Sequence, residues 1–311
     1  MGLTLDVVRM LLSGQRRANQ TAPIQQVLTI GRQQLFLRPR EVETLREEFD
    51  LEEEIGQSVP EFGGYCESFL ISLLRCERVQ SLDFSDYECA SIIHDLNLPV
   101  PSDLHEAFDL IVDGGSLEHL FHVPQALENY IRMLKLGGRL VISTVANNHC
   151  GHGFYQFSPE FFYRVFAPEN GFSDPQVMMV EHPFPGVELS SATRCYKVVD
   201  PDEVAQRVGL VNDRPVMLIF SATRSQLRSP FERPVQQSDY QRQWNSSGPS
   251  AESQMAPEPT GVIRRCKRVA GNSWRAVQAH LPEQWKQHLN GLRQRRLYSF
   301  RNNRFFCTWK P

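Results

Sequence analysis

The sequence predicts an α/β fold with a mostly parallel sheet covered by helices on both faces. Three observations carry that expectation. From Phe108 to Val112 an apolar run stops abruptly at Asp113-Gly114-Gly115, as a strand buried on both faces does when it reaches the edge of its sheet. From Pro124 the period becomes helical, with Leu127, Tyr130, Ile131 and Leu134 at helical spacing, Lys135 in the last turn and Gly137-Gly138 closing the helix. A second strand, Arg139 to Val145, follows at once. Strand, loop, helix and strand make up the repeating unit of a parallel sheet, and such sheets bind ligands beyond the carboxyl ends of their strands.

The motifs in this region carry a resemblance. FDLIVD at 108–113, LEH at 117–119 and the helix closed by LKLGG at 134–138 resemble the centre of the class I S-adenosylmethionine-dependent methyltransferases. SDYECASIIHDLNLPVP at 85–101 and NNHCGHGFYQFSPEFF at 147–162 are similar to an uncharacterised, mostly microbial branch of that superfamily. The resemblance covers the chain from about Val27 to Arg224. It implies a Rossmann-like, seven-stranded sheet with an antiparallel last strand and S-adenosyl-L-methionine as cofactor. In-line methyl transfer to a small-molecule or glycan-type acceptor is the leading functional expectation.

Length and composition agree with such a chain. At 311 residues, 41% hydrophobic and 22% charged, it can bury the core of one large domain plus an appendage. No apolar run approaches the ~20 residues of a membrane helix. Leu3 to Leu12 is interrupted by Asp6 and Arg9, unlike a secretory leader. Seven cysteines without CxxC spacing give no disulfide framework and suit a reducing, cytoplasmic setting. The net charge of −3 is unevenly spread: residues 226–311 hold 15 Lys/Arg against 5 Asp/Glu, which leaves an acidic body with a basic tail.

Taken in order, Leu5, Val8 and Leu12 share a helical face, so residues 1–24 are expected to form a helical lead-in packed on the sheet edge. Residues 25–225 form the main domain. Gln26 to Ile30 is its first strand, entering the turn Gly31-Arg32-Gln33-Gln34. By resemblance that turn receives the cofactor, although only Gly31 remains of the three glycines usual there. Pro39 to Phe49 is a helix, and Phe69, Leu70, Leu73 and Leu74 mark a second one. Between them, Glu61 to Gly64 is an alternative glycine turn, since Gly64 lies nineteen residues before Asp83. No apolar strand precedes it, so Gly31 is preferred for the turn, and Gly64 with Tyr65 is read as a second wall of the pocket. Val79 to Asp83 and Ser91 to Leu96 are short strands that each run into an acid. A carboxylate at the end of the second strand suits a ribose diol, because two acceptor oxygens match two vicinal hydroxyls. The alternative is that Asp83, together with Ser85, caps the helix after it. The resemblance further implies that Asp95 accepts from the adenine amino group, with Leu96 close to the ring. It sets Asp113 and Gly114 at the methionine end of the cofactor.

Ser158 caps a helix beginning at Pro159, and Val177 to Val180 and Pro215 to Phe220 supply two late strands, ending the fold near Arg224. Residues 226–261, rich in Gln, Ser and Pro, read as a disordered linker. Residues 262–311 read as a basic tail with a short helix from Pro282, its apolar face formed by Trp285, Leu289 and Leu292.

Methyl transfer needs a bound cofactor, a nucleophile held in line and a group to remove its proton. Glu118 and His119 are placed to serve a substrate, or alternatively to hydrogen-bond their loop onto the sheet. His152, with Tyr155 and Gln156, lies on a loop that the fold sets over the pocket. His149, Cys150 and His152 have the look of metal ligands, yet HCGH has no partner pair at finger or ribbon spacing, so no metal is expected. Two other functions compete. The depleted glycine turn is compatible with a binding scaffold that has lost turnover. Arg264, Arg265, Lys267 and Arg268, with Trp274, Trp285 and Trp309, are compatible with nucleic-acid binding. Acids at both Asp83 and Asp95 favour catalysis, and the acidic body disfavours nucleic acid.

Overall fold

A computed structural model describes residues 2–17, 23–186, 193–246 and 282–309. The chain begins with β1 (Gly2–Thr4), α1 (Leu5–Arg17), β2 (Gln26–Ile30), β3 (Gln34–Phe36), α2 (Pro39–Phe49), α3 (Glu67–Leu74), β4 (Arg78–Asp83) and β5 (Ile92–Ile93). It continues through β6 (Phe108–Gly114), α4 (Val123–Met133), β7 (Leu134–Asn147), α5 (Pro159–Val165), β8 (Phe172–Glu181), β9 (Arg194–Val198), α6 (Pro201–Val204) and β10 (Val216–Arg224). The last elements are α7 (Ser238–Ser246), α8 (Glu283–Leu297) and β11 (Phe306–Thr308).

Nine strands form one sheet in the order β11-β9-β8-β10-β7-β6-β2-β4-β5, and β1 pairs with β3 in a separate two-stranded ribbon. The pairs among β5, β4, β2, β6 and β7 are parallel, while β10 runs antiparallel to both β7 and β8. The central strand shows why its sequence is an unbroken apolar run. Ile111 packs into a core on one face with α4 and α5, while Leu110 and Val112 pack into a second core on the other face with α1, α2 and α3. A strand whose alternate side chains enter two cores has no solvent face to alternate toward. After β2 the chain crosses to β4 and β5 on one side and then returns to β6 on the other. The strand order therefore reverses between β2 and β6, and at such a point the carboxyl ends of the strands open a crevice.

The structure differs from the sequence expectations in five places. The helix after Pro124 stops at Met133, and the residues expected to close it, Leu134 to Gly138, already belong to β7. The cause is the chain entering β6: Glu106 N–H and Ala107 N–H donate to the carbonyls of Arg132 and Met133, drawing the helix end into strand pairing. Leu134 then sits opposite Phe108, with the register slipping before Leu110, so Lys135 to Gly138 form a bulge. The lead-in helix lies on a sheet face rather than on an edge, with Val7, Leu11 and Leu12 packed in the same core as Val141 and Ile219. Ser158 occupies the cap position of α5, but its hydroxyl makes no capping hydrogen bond.

The remaining two differences concern strand number and the C-terminal boundary. The sheet has nine strands where seven are expected, because β9 and β11 extend it beyond β8. Phe306 pairs opposite Val198, and Phe305 and Phe306 are buried in the main core. The fold therefore does not end near Arg224, and residues 262–311 are not wholly an appended tail. Within 226–261, Ser238–Ser246 is helical and is tied to the domain by Ser238 N–H donating to Glu160 Oε1 at 2.9 Å; residues 247–261 lie outside the described ones. In α8 the expected apolar face is not used for packing, since Trp285 and Leu292 are exposed. Leu297 and Phe300 pack on the core instead, Phe300 stacking on Tyr196 with ring centroids 4.0 Å apart. Trp309 is buried in the second core rather than available for stacking, and Arg264 to Arg268 and Trp274 lie outside the described residues. Among the described residues, no helix is long and apolar enough to cross a membrane.

The tail thus contributes structural side chains. Phe306→Ala should destabilise the protein by ~3–5 kcal/mol in denaturant unfolding, the cost of emptying a buried aromatic site, whereas Trp285→Ala should stay within about 0.5 kcal/mol of the parent. Equal effects of the two would show that β11 does not belong to the sheet.

Candidate functional site

The site is built at the carboxyl ends of β2, β4, β5 and β6. β2 leads into Gly31, whose φ of +71° lies in the left-handed region that favours glycine. Its amide donates to the Leu82 carbonyl, and a side-chain carbon placed there would lie 3.5 Å from Ser116 Oγ and 3.7 Å from Asp83 Oδ2. Asp83 Oδ1 accepts from the amide of Phe84 at 2.6 Å, while Oδ2 has no partner among the described residues. One strand further, Asp95 Oδ1 accepts from the amide and the side chain of Asn97 at 2.9 and 2.8 Å, which holds its carboxyl below the ordinary range. Gly31 and Asp83 therefore follow the paired strands β2 and β4, and Asp95 lies two residues beyond β5.

Other expected residues are placed differently. Arg32 is turned aside: its guanidinium stacks 3.8 Å from the centre of the Tyr65 ring, pairs with Glu67 at 2.6 Å and donates to the Glu88 carbonyl. Gly64 accepts from the amide of Leu35, and Tyr65 bridges to Gln34, so this segment straps the turn from the side. Leu96 is a core residue whose carbonyl accepts from Asn129. Asp113 is fully buried. Its Oδ1 accepts from the amides of Gly115 and Ser116 at 3.1 and 2.6 Å, and its Oδ2 accepts from the Tyr130 hydroxyl at 2.8 Å. That carboxylate organises the turn and offers no open surface to a ligand. Burial, and then the neighbouring Glu118, push its pKa up from 3.8 to about 7. Gly114 touches Gln33 instead, where a side-chain carbon would lie 2.3 Å from Gln33 Oε1.

Beyond Gly114 and Gly115 opens a cavity of about 630 Å³, lined in part by Gly2, Gln34, Glu118, His149 and His152. Glu118, in a single 3₁₀ turn (Leu117–His119), is fully buried. Its Oε2 accepts from Thr144 Oγ1 at 2.8 Å, and its Oε1 has no hydrogen-bond partner. The loop 148–156 folds over it: the amides of Phe154 and Tyr155 donate to the Glu118 carbonyl at 2.7 and 3.4 Å. Gly153 must be glycine here, since its φ is +70° and a side-chain carbon would lie 2.7 Å from that same carbonyl. This strapping sets His152 Nε2 3.6 Å from Glu118 Oε1 and the rings of His119 and His152 5.1 Å apart. His149, mostly buried behind them, has its pKa lowered by desolvation and by His152.

Sequence reasoning missed Ser116, Tyr130 and Thr144, and named Gln33 only as part of the turn. Two of them had a signal. Thr144 is a polar residue within an apolar strand, and Ser116 follows two glycines at a strand end, where a short hydroxyl can reach a neighbouring strand; it donates to the Ile30 carbonyl at 2.9 Å. Tyr130 was readable only as a core residue, because its hydroxyl partner is defined by tertiary packing.

No family model matches the chain, and no curated protein matches it. The solved structures to which it is similar include a SAM-dependent methyltransferase from Thermotoga maritima, at 12% identity, covering 70% of this chain and 91% of that one, with a TM-score of 0.35. A SAM-dependent methyltransferase from Archaeoglobus fulgidus matches at 12% identity over 69% and 93% of the two chains, with a TM-score of 0.33. A phosphoethanolamine N-methyltransferase 2 of Haemonchus contortus, in complex with S-adenosyl-L-methionine, matches at 14% identity over 70% of this chain and 53% of that one, with a TM-score of 0.34. At these scores the likeness carries no inference of its own, and the architecture stands on the chain's own strand order.

The buried carboxyl of Asp113 makes stability pH-dependent. Its folded pKa of about 7 exceeds the ordinary 3.8, so its contribution is full below about pH 4 and is lost as the pH rises through about 7. Asp113→Asn keeps an oxygen for the Gly115 and Ser116 amides and removes the titration. Its melting temperature should fall less than that of the parent across this window, and parallel curves would show that Asp113 does not titrate there.

Proposed function

We propose that this chain is an S-adenosylmethionine-dependent methyltransferase that binds its cofactor across the ends of β2, β4 and β5 and takes a small-molecule or glycan-type acceptor into the adjoining cavity. The observation that supports it best is the reversal of strand order between β2 and β6, with Gly31 and Asp83 following the paired strands β2 and β4 there.

The residues fit such a cofactor in part. Asp83 Oδ2, unpartnered and beside the Gly31 turn, suits a ribose hydroxyl, and Asp95 lies one strand further along, where the adenine would be. Asp113 does not fit the role first implied for it, because its oxygens are committed to Gly115, Ser116 and Tyr130. Gln33 Oε1, beside Gly114, is a buried acceptor without a donor. When bound, the cofactor supplies an activated methyl group, which leaves the protein to orient the acceptor and exclude water. A cavity of about 630 Å³ falls in the range of small-molecule sites. Glu118 and His152 line it, with the His119 ring 5.1 Å from that of His152, and these three serve the acceptor.

Calorimetric titration of the full chain with S-adenosylhomocysteine tests the reading. A dissociation constant in the micromolar range corresponds to roughly −8 kcal/mol. Asp83→Ala should weaken binding by ~1.5–3 kcal/mol, the scale of a hydrogen bond to a charged group, without lowering the melting temperature. No heat at millimolar ligand would refute the cofactor assignment and leave a binding scaffold as the better description.

A further inference from the structure

We propose that Glu118, His119 and His152 form a divalent-metal site at the polar end of the cavity, of the kind that holds a zinc-class ion with at least one coordination position open to an oxygen ligand. The metal assignment stands on side-chain geometry alone; that the open position receives the acceptor rests on the methyltransferase reading above.

Three observations point there. First, one ligand atom from each of the three side chains lies within 4.8 Å of the others, and Glu118 Oε1 to His152 Nε2 is 3.6 Å. Bonds of about 2.0–2.1 Å at tetrahedral angles separate ligand atoms by about 3.3 Å, so modest rotation of the two exposed imidazoles closes the set. Second, Glu118 Oε1 is buried yet lacks a hydrogen-bond partner, while the other oxygen is fixed by Thr144. At 3.6 Å the imidazole of His152 is too distant for a normal hydrogen bond. A buried carboxylate oxygen held in place by a hydroxyl on its sister oxygen is how metal-binding carboxylates are oriented. Third, His149 Nε2, in the wall of the same cavity, is a second buried atom without a partner.

Two imidazoles and one carboxylate suit zinc and its neighbours, and leave the remaining positions to water or substrate. The half-exposed His152 faces the cavity that Glu118 also lines, so an incoming ligand approaches from that side. The occupant of the open position is an oxygen donor such as a hydroxyl or carboxylate of the acceptor. With an ion present, the three residues position that oxygen through the metal instead of contacting it themselves. In this site the partner of the HCGH segment is not another cysteine or histidine pair but Glu118-His119, brought opposite by the strap on the Glu118 carbonyl.

The test uses the full chain stripped with a chelator and titrated with Co²⁺, whose visible absorption reports ligand geometry. One saturable Co²⁺ per chain is expected, displaced by Zn²⁺. His119→Ala and His152→Ala, both at exposed side chains and expected to fold, should weaken it roughly 100-fold or more, while His105→Ala, exposed and remote in sequence, should leave it unchanged. Acetohydroxamate should shift the bands if a position is open. Absence of a stoichiometric site, or equal binding by the His119 and His152 variants, would overturn the metal assignment. Unshifted bands with acetohydroxamate would overturn the open position. Titrating the same samples with S-adenosylhomocysteine separates the two readings. Lost cofactor binding with Co²⁺ retained refutes the methyltransferase reading alone, and the reverse refutes the metal site alone.

Discussion

At the end of β6, one carboxylate holds together three parts of the molecule. Asp113 receives two amides of the turn that follows it and the hydroxyl of Tyr130 from α4, so strand, turn and helix share one buried anchor. The turn so formed presents Ser116, whose hydroxyl reaches the Ile30 carbonyl and ties β6 to β2 at the point where the strand order reverses. Burying a carboxyl is costly unless its oxygens are satisfied, and here three donors supply that satisfaction. Both the crevice at Gly31 and the position of Glu118, five residues after Asp113, depend on this arrangement.

Much of this plan was readable in the sequence, because it follows from chain-local patterns. The run Phe108 to Val112 stated a strand buried twice over, the helix from Pro39 to Phe49 matched its bounds, and Asp83 ended β4, whereas the strand expected over Ser91 to Leu96 is only Ile92–Ile93 and Asp95 lies beyond it. What escaped was set by pairing over long distances. β11 joins β9 across more than a hundred residues, and a three-residue strand in a basic, polar segment carries no periodic signal of its own. The role of Asp113 was misjudged for a related reason: an acid at a strand end serves a ligand or its own turn equally well in sequence, and only Tyr130, supplied by tertiary packing, decides between them.

The cavity beside this anchor has an unusual charge balance. Asp6, nearly buried, lines it and is engaged by Arg9 and by the thiol of Cys195, while Glu118 keeps one oxygen without a donor. In a low-dielectric wall, carboxylates favour a positive ligand, and a cation brought among them offsets the cost of their desolvation. A sulfonium cofactor and a divalent ion are both cations. Asp6 is already paired with Arg9, so Glu118 Oε1 is the carboxylate oxygen of this wall left to meet a cation.

The N-terminal segment explains why such charge can stay away from bulk water. β1 pairs in parallel with β3, and a side-chain carbon at Gly2 would lie 2.3 Å from the Gln34 carbonyl, so the chain passes this point at the closest approach a backbone allows. Leu3 beside it is fully buried, and α1 then carries the chain across the face formed by β7 and β10. The lead-in is accordingly a wall of the cavity as well as a layer of the core, with Gly2, Thr4 and Asp6 facing the space opposite Glu118 and His152. The three-residue β1, with few hydrogen bonds of its own, is a weaker closure than the central sheet. Local opening is least costly where the fewest buried contacts and hydrogen bonds are broken. Gly2, Thr4 and Asp6 wall the cavity on the side opposite half-exposed His152, from which a ligand approaches, and Asp113 with its three donors stays out of that path.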